Sequence, residues 1–401
     1  MALLYKSENG IEFYSDNTVV FANKSKGTYE GKFVNGKPEG FFRLFYESGK
    51  LKEEVTFKDG KPDGIRKGYY ENGNLQGETT YKAGMLEGQW RQYYENGKLK
   101  KEGAFKGGKP DGIGKQYYEN GKLQGEFAYK NGIREGPGKW YYENGKLQGE
   151  GICRDGKPEG IGKQYYENGK LQGQFTYKGG KQEGPWKQYY ENGKLQEEFT
   201  YKDGKFEGLW RSYNMNGKLN AERIYKDGKQ EGPGKQYYEN GKLKGEFTFK
   251  DGKEDGPWKC FHKNGKLQGE GMCRDGKPEG PGKGYYDNGK LQEEVNYKDG
   301  KENGHWTSYY KNGNLQGDFN YKYGRLEGQG KWYYDNGQIK GEGTYKDGNP
   351  EGIGKQYYEN GKLKEEGTYK DGKKQGIWKT YNENGELTKE ETYKDGVVAG
   401  A

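Results

Sequence analysis

One period organises the chain. The Gly of an Asn-Gly pair stands at Gly49, Gly73, Gly97 and Gly121, and then every 24 residues to Gly385 without an insertion. The residue before it is Asn in every copy but Ser48, and the residue two after it is Leu in every copy but Ile339. A second series runs Gly36, Gly60, Gly84 to Gly396, and a third Gly40, Gly64, Gly88 to Gly400. The unit reads YYENGKLQGEFTYKDGKPEGIGKQ. A fixed period of this length means one supersecondary unit stacked on copies of itself, each touching only its neighbours. The repeats are assigned to residues 27–401, as about 16 units. Residues 1–26 are out of phase and carry the β-branched and aromatic run IEFYSDNTVVF, so they are expected to cap the array.

Composition fits such an array and not a conventional enzyme domain. Gly is 74 of 401 residues, and Leu, Ile, Val and Phe together are only 53. That aliphatic share falls below the threshold of roughly 20% associated with disorder. Disordered chains are poor in aromatics, however, and this one holds 39 Tyr. Lys+Arg number 69 and Asp+Glu 61, so the net charge is only +8. No stretch is apolar enough to be a transmembrane span. The start, MALLYKSENG, lacks the basic and apolar regions of a secretory signal, so a cytoplasmic location is expected, or a surface or exported one for a processed form.

The local chemistry of the unit is that of a β-hairpin. Asn-Gly suits a two-residue type I′ turn. With Asn120-Gly121 as that turn, Lys122 pairs with Glu119, Leu123 with Tyr118, Gln124 with Tyr117, Glu126 with Lys115 and Phe127 with Gly114. The second connection, such as Asp155-Gly156-Lys157-Pro158-Glu159-Gly160, reads as a six-residue loop. The fold class predicted is therefore all-β: an elongated single-sheet array of tandem antiparallel β-hairpins, spanning on the order of 150 Å at two strand spacings per unit.

Strand alternation then sorts the side chains. Leu123, Phe127, Tyr129 and Tyr118 share an apolar face, and Lys115, Glu126, Lys122, Glu119 and Tyr117 the opposite, charged face. On the apolar face volumes are traded across the hairpin: Trp90 faces Gly103, Trp258 faces Gly271, Gly114 faces Phe127 and Gly234 faces Phe247, as a packed layer requires. Where both positions are Gly, at Gly138 and Gly151 or Gly330 and Gly343, Trp140 or Trp332 stands nearby. Trp210 opposite Arg223, Trp378 opposite Glu391 and Arg66 opposite Thr79 break the rule. Weak burial near the chain ends is the reason expected for Arg66 and Trp378; Trp210 has none.

Tyr29-Glu30-Gly31-Lys32-Phe33-Val34-Asn35-Gly36-Lys37-Pro38-Glu39-Gly40 resembles a MORN repeat, with its Tyr-x-Gly-x4-Gly-x3-Gly core. The following units resemble the bacterial 24-residue MORN variant through YYENG-K-L and YKDG-K-x-x-G. The resemblance covers about 370 residues. It implies a solenoid or ribbon of β-hairpins serving as a scaffold, associated in some members with phospholipid binding and in many bacterial ones with a YwqK-type antitoxin label.

The residue types that carry chemistry give no site. His262 replaces a Tyr and His305 precedes a Trp, each in a single copy. Cys153 and Cys273 share one repeat position but lie five units apart, beyond disulfide reach. With Cys260 they read as free, buried apolar fillers. No Cys/His spacing suits a metal. Gly112-Ile113-Gly114-Lys115 and Gly232-Pro233-Gly234-Lys235 lack the Ser/Thr and following helix of a phosphate loop. No catalytic, cofactor-binding or metal-binding residue is therefore assigned, and an enzyme is not expected.

The candidate binding surface is a ladder formed by the first aromatic of each Tyr-Tyr pair: Tyr69, Tyr93, Tyr117, Tyr141, Tyr165, Tyr189, Tyr213, Tyr237, Phe261, Tyr285, Tyr309, Tyr333, Tyr357 and Tyr381. A straight register puts it on the charged face, whereas a bulge at the pair turns it inward. The function expected is a non-catalytic scaffold binding a protein partner through this face, antitoxin-like in form. Alternatives are an anionic phospholipid or membrane-surface binder and a cell-wall carbohydrate or choline binder. Nucleic acid is disfavoured, because nearly every Lys has an acidic neighbour and the net charge is about half a unit per repeat.

Overall fold

In a computed structural model of the chain, residues 3–6, 12–14, 18–23 and 27–399 are described. The proposed cap, residues 1–26, lies partly outside them. Among the described residues there is no helix. Two compact units are distinguished, Met1–Leu195 with Tyr201–Gly204, and Gln196–Thr200 with Lys205–Ala401. In each, strands pair antiparallel with the strands next to them in sequence. Leu123–Lys130, Ile133–Tyr141 and Leu147–Arg154 form a representative run. Thr18–Asn23 pairs with Gly27–Val34, so the sheet extends N-terminal of the first repeat.

The two turn types are exchanged relative to the sequence expectation. The Asp-Gly pair, not the Asn-Gly pair, makes the two-residue type I′ turn. Lys130 pairs with Ile133 across Asn131 (φ 51) and Gly132 (φ 88), both left-handed as that turn demands. The same holds at Asp155-Gly156, where Arg154 pairs with Lys157 and Cys153 with Pro158, so there is no six-residue loop. Asp and Asn tolerate this conformation because their short side chains bond locally.

At the Asn-Gly pair only Gly121 is left-handed, with φ 91. Gly121 N–H donates to Tyr118 O at 2.8 Å, and Tyr118 N–H to Lys122 O at 2.8 Å. This is a type I turn closed by a left-handed Gly, a three-residue connection with a G1 bulge. Asn120 Oδ1 accepts from Lys122 N–H at 2.9 Å, which accounts for the Asn. The register consequently slips at the pair. Tyr117 faces Leu123 rather than Gln124, while Gln116–Gly125, Lys115–Glu126 and Gly114–Phe127 stay opposed. Lys122 and Glu119 are not cross-strand partners; Lys122 Nζ reaches Asn144 O of the following turn at 3.3 Å.

The apolar face is built of rings lying over glycines. Trp90 opposes Gly103, Trp258 opposes Gly271, and Phe127 and Phe247 oppose Gly114 and Gly234, as the volume argument requires. A Cβ added at Gly103 would lie 2.9 Å from Trp90 Nε1, and one at Gly138 2.8 Å from Phe127 Cδ1. Phe42, Val55, Phe175, Phe199, Val295 and Trp378 are buried there.

The three exceptions resolve separately. Arg66 grips Glu53 through Nε and Nη2, both at 2.7 Å. The Arg223 guanidinium lies 5.6 Å from the Trp210 ring centroid, a cation–π contact. Trp378 is not weakly buried: it is 4% exposed, with Lys374 Nζ 3.9 Å from its ring centroid. Its nearness to the C-terminus is therefore no guide to its packing.

Candidate functional site: the outward face of the hairpin array

Strand Gly112–Tyr117 places Ile113, Lys115 and Tyr117 on one face by alternation. The same triplet of positions recurs in each unit and generates three parallel columns.

The middle column is ionic. Lys163 reaches Glu150 at 3.8 Å, Lys235 reaches Glu246 at 3.5 Å, and Lys259 reaches Glu270 at 3.3 Å. Arg91 lies between Glu78 and Glu102, at 3.0 and 3.5 Å, and Arg211 between Glu198 and Glu222, at 3.6 and 3.7 Å. These pairs are solvated and individually weak, on the order of 0.2–1 kcal/mol. Their effect is to neutralise the strip locally, so the face is polar without a strong net field.

The second column is the Tyr ladder. The slip at each Tyr-Tyr pair does not turn the first Tyr inward. Its hydroxyl instead crosses to a Glu of the ionic column fifteen residues back. Tyr69 donates to Glu54 at 2.8 Å, Tyr117 to Glu102 at 2.7 Å, Tyr165 to Glu150 at 2.9 Å and Tyr357 to Glu342 at 2.9 Å. Tyr141, Tyr285 and Tyr381 reach Glu126, Glu270 and Glu366 at 3.4, 3.1 and 3.1 Å. Tyr213 and Tyr237 reach Glu198 and Glu222 at 2.9 and 3.3 Å.

No such bond is drawn at Tyr93, Tyr189, Tyr309 or Tyr333. Glu78 is engaged by Arg91 and Glu294 by Lys283, and the equivalent position is Gln174 or Asp318 in the other two. Phe261 has no hydroxyl to offer. Burial, then the bonded Glu, pushes the Tyr69, Tyr117 and Tyr357 phenols up to about 12. The ladder is half-buried, and nine of its fourteen members have the hydroxyl tied to a Glu.

The third column escaped the sequence reading. Phe41, Ile65, Ile113 and Ile161 in the first unit, and Leu209, Ile353 and Ile377 in the second, are 41–64% exposed. Ile113 and Leu209 face Ala128 and Ile224, whereas Phe41, Ile65, Ile161, Ile353 and Ile377 each face a Thr. The signal was present in Gly-Ile-Gly-Lys, where Ile shares the parity of Lys and of the first Tyr, but glycines on both sides drew the reading toward turns.

The second Tyr of each pair is structural. Tyr94, Tyr118, Tyr142 and Tyr166 donate to the carbonyls of Tyr117, Tyr141, Tyr165 and Tyr189 at 2.7–2.8 Å, each in the following unit. His262 takes over this duty, with Nε2 2.8 Å from Tyr285 O. His305 Nε2 lies 2.6 Å from Asp318 Oδ1. The Glu before the third-series Gly accepts the first amide of the next type I′ turn, as Glu39 does from Asp59 N–H at 2.8 Å and Glu135 from Asp155 N–H at 2.7 Å.

Cys153, Cys260 and Cys273 are free thiols, but only Cys273 is buried; the other two are half-buried, which corrects the expectation of three buried fillers. Burial pushes the Cys260 and Cys273 thiols up, aided by Glu254, so neither has the lowered pKa of a nucleophile. Among the described residues no group of three His, Cys, Asp or Glu is placed to hold a metal ion, and no helix is long and apolar enough to cross a membrane.

Comparison with known proteins agrees with the repeat geometry. The family described as "MORN repeat variant" matches fifteen successive segments from 38–59 to 374–395, and "MORN repeat" matches residues 29–41. No curated protein matches. Among solved structures, the crystal structure of TcdB2-TccC3-Cdc42 is 12% identical, with 94% of this chain and 26% of that chain covered at a TM-score of 0.16. The Photorhabdus luminescens Tc holotoxin pore is 11% identical, with 97% and 23% covered at a TM-score of 0.15. The chain thus spans about a quarter of the length of these proteins. A likeness of this degree carries no argument about function.

Proposed function

Because the chain belongs to the MORN repeat family, whose members are generally non-catalytic repeat scaffolds, we propose that it works as a scaffold that binds a protein partner through its outward face. The observation that supports this reading is the row of exposed apolar side chains, interrupted at Gln89, His305 and Gln329, beside the ion-paired and aromatic columns. Exposed apolar patches rimmed by polar residues mark interaction sites, and aromatic residues are enriched in protein interfaces. A membrane surface would be served by an unneutralised cationic strip, whereas here the Lys and Arg of the strip meet Glu across strands. An antitoxin-like role is the specific form of the proposal, in which the partner is a toxin silenced by being held.

The test is affinity capture from a native lysate of the source cells, with the whole chain as bait and Ile113→Glu/Ile161→Glu as control. Both positions are about half exposed (50% and 52%), so the variant keeps its β circular dichroism. A stoichiometric protein captured by the parent and lost with the variant supports the proposal. Capture unchanged by the variant, or flotation of the chain with anionic vesicles at low salt in place of any captured protein, overturns it.

A further inference from the structure

Of the cavities on the apolar face, which include one of about 260 Å3 beside Trp90, Gly103 and Gly114, two share a single arrangement of glycines. On that face the hairpins normally fill the central position with their own ring, as Trp90, Phe127, Phe175 and Trp258 do. At Gly138, Gly151 and Gly162 three neighbouring strands present glycine in succession. A cavity of about 250 Å3 opens there, walled by Phe127, Trp140, Phe175 and Tyr177, with Cys153 and Pro158 at its margin.

The neighbouring rings do not fill it. Phe127 covers Gly138, and Trp140 leans away over Gly149. The nearest atom to a Cβ built on Gly151 is Gly162 Cα at 3.8 Å. Eight repeats later the arrangement recurs. Gly330, Gly343 and Gly354 follow in succession, Trp332 leans over Gly341, and the nearest atom to a Cβ on Gly343 is Gly354 Cα at 3.9 Å. A cavity of about 200 Å3 lies there against Trp332, Tyr345, Tyr369 and Trp378.

We propose that each cavity is a binding site for one planar aromatic ring system of phenol-to-indole size. Three observations fix that occupant. Equivalent glycines elsewhere in the array lie under a Trp, Phe or Tyr ring, as Gly103 under Trp90, Gly271 under Trp258 and Gly114 under Tyr129, so the floor is already shaped to a flat ring. The walls include aromatic faces and edges, which favour offset or edge-to-face contact with another ring, beside charged side chains such as Arg134, whose guanidinium lies 4.2 Å from the Phe127 ring centroid. The volume lies below the roughly 300 Å3 at which drug-sized sites begin and above the ~150 Å3 that admits benzene. The same ring chemistry comes from a free aromatic metabolite or from a Trp or Tyr side chain on a partner.

Cys153 reports on the first cavity. In the full chain, its alkylation rate is followed by peptide mass spectrometry with and without indole, and with and without N-acetyl-tryptophanamide, with Cys260 as internal reference. Millimolar indole is expected to slow Cys153 alkylation several-fold and leave Cys260 unchanged. Protection by indole alone assigns the site to a free ligand, and protection by both probes extends it to a partner's side chain.

Gly151→Phe restores the Gly–Phe pairing of the adjacent hairpins and is expected to abolish the indole dependence. Gly162→Val does the same with a smaller insertion, its Cβ meeting nothing closer than 3.7 Å. Equal Cys153 rates with and without both probes, or indole protection that survives in whichever of the two variants retains its β circular dichroism, overturns the proposal.

Discussion

Adding one methyl group at Gly149 and the same group at Gly151, two residues along one strand, has opposite consequences. Both positions face the apolar side of Leu147–Arg154, and neither has a positive φ. At Gly149 the new Cβ would lie 2.8 Å from Trp140 Nε1 and closer still to Cε2 and Cζ2. Carbon contacts are comfortable only at about 3.5–4 Å, so the indole must leave its place. Overpacking of this kind costs roughly 1–3 kcal/mol. Replacing Gly by Ala returns roughly 0.5–1 kcal/mol of backbone entropy, so the net loss is about 1–2 kcal/mol.

At Gly151 the methyl meets only Gly162 Cα at 3.8 Å, and the entropic gain stands alone. Because repeat arrays open locally, the fitting assay is amide hydrogen exchange over residues 147–154 rather than a single melting temperature. Gly149→Ala should speed exchange there by a factor of about 5–30. Gly151→Ala should slow it two- to five-fold, the same entropic gain read as about 1.4 kcal/mol per decade. Equal exchange in the two variants, or faster exchange in Gly151→Ala, would refute the account of glycine on this face.

Three further outcomes are expected. Tyr118→Phe removes the hydroxyl that holds Tyr141 O and should cost about 1 kcal/mol, seen as faster exchange of the adjoining turn at residues 142–146; no change would deny the inter-unit bond its role. Ala83 occupies the left-handed first position of a type I′ turn at φ 50, so Ala83→Asn should stabilise that hairpin by about 1 kcal/mol in local exchange. The third concerns alkaline pH. With Tyr69, Tyr117 and Tyr357 held up to about 12 in the fold against about 10 unfolded, the unfolded chain releases its protons first. Their contribution is whole below pH ~10 and is lost as pH rises toward ~12. Phenolate absorbance should show a late-titrating class that Tyr117→Phe diminishes, and an unchanged profile would contradict it.

Much of the fold was legible because the period and the strand parity are insensitive to errors in turn type. Asn120-Gly121 and Asn131-Gly132 are both amide-glycine pairs, and either suits a two-residue turn. Exchanging their roles shifts Tyr117 by one partner yet leaves Lys115–Glu126 and Gly114–Phe127 opposed. Which pair takes the bulge is set by bonds to neighbouring hairpins, such as Lys122 Nζ to Asn144 O, and no single unit contains them. The same limit hid Tyr118, whose acceptor is a backbone carbonyl 23 residues on. The sequence left the Tyr ladder either outward or turned in by a bulge, and its hydroxyl bonds to Glu were not foreseen, because fifteen residues separate donor from acceptor.

The Tyr118-type bond always points forward, from one unit to the carbonyl of the next. At Asn214 and Asn382 an Asn stands in the Tyr position and bonds within its own turn, Asn214 Oδ1 accepting from Lys218 N–H at 2.9 Å and Asn382 Nδ2 donating to Glu386 Oε2 at 2.9 Å. A chain joined this way can lengthen or shorten only in whole steps. Removing 24 residues leaves each hydroxyl a carbonyl at the right distance, while removing 23 or 25 strands every bond across the cut.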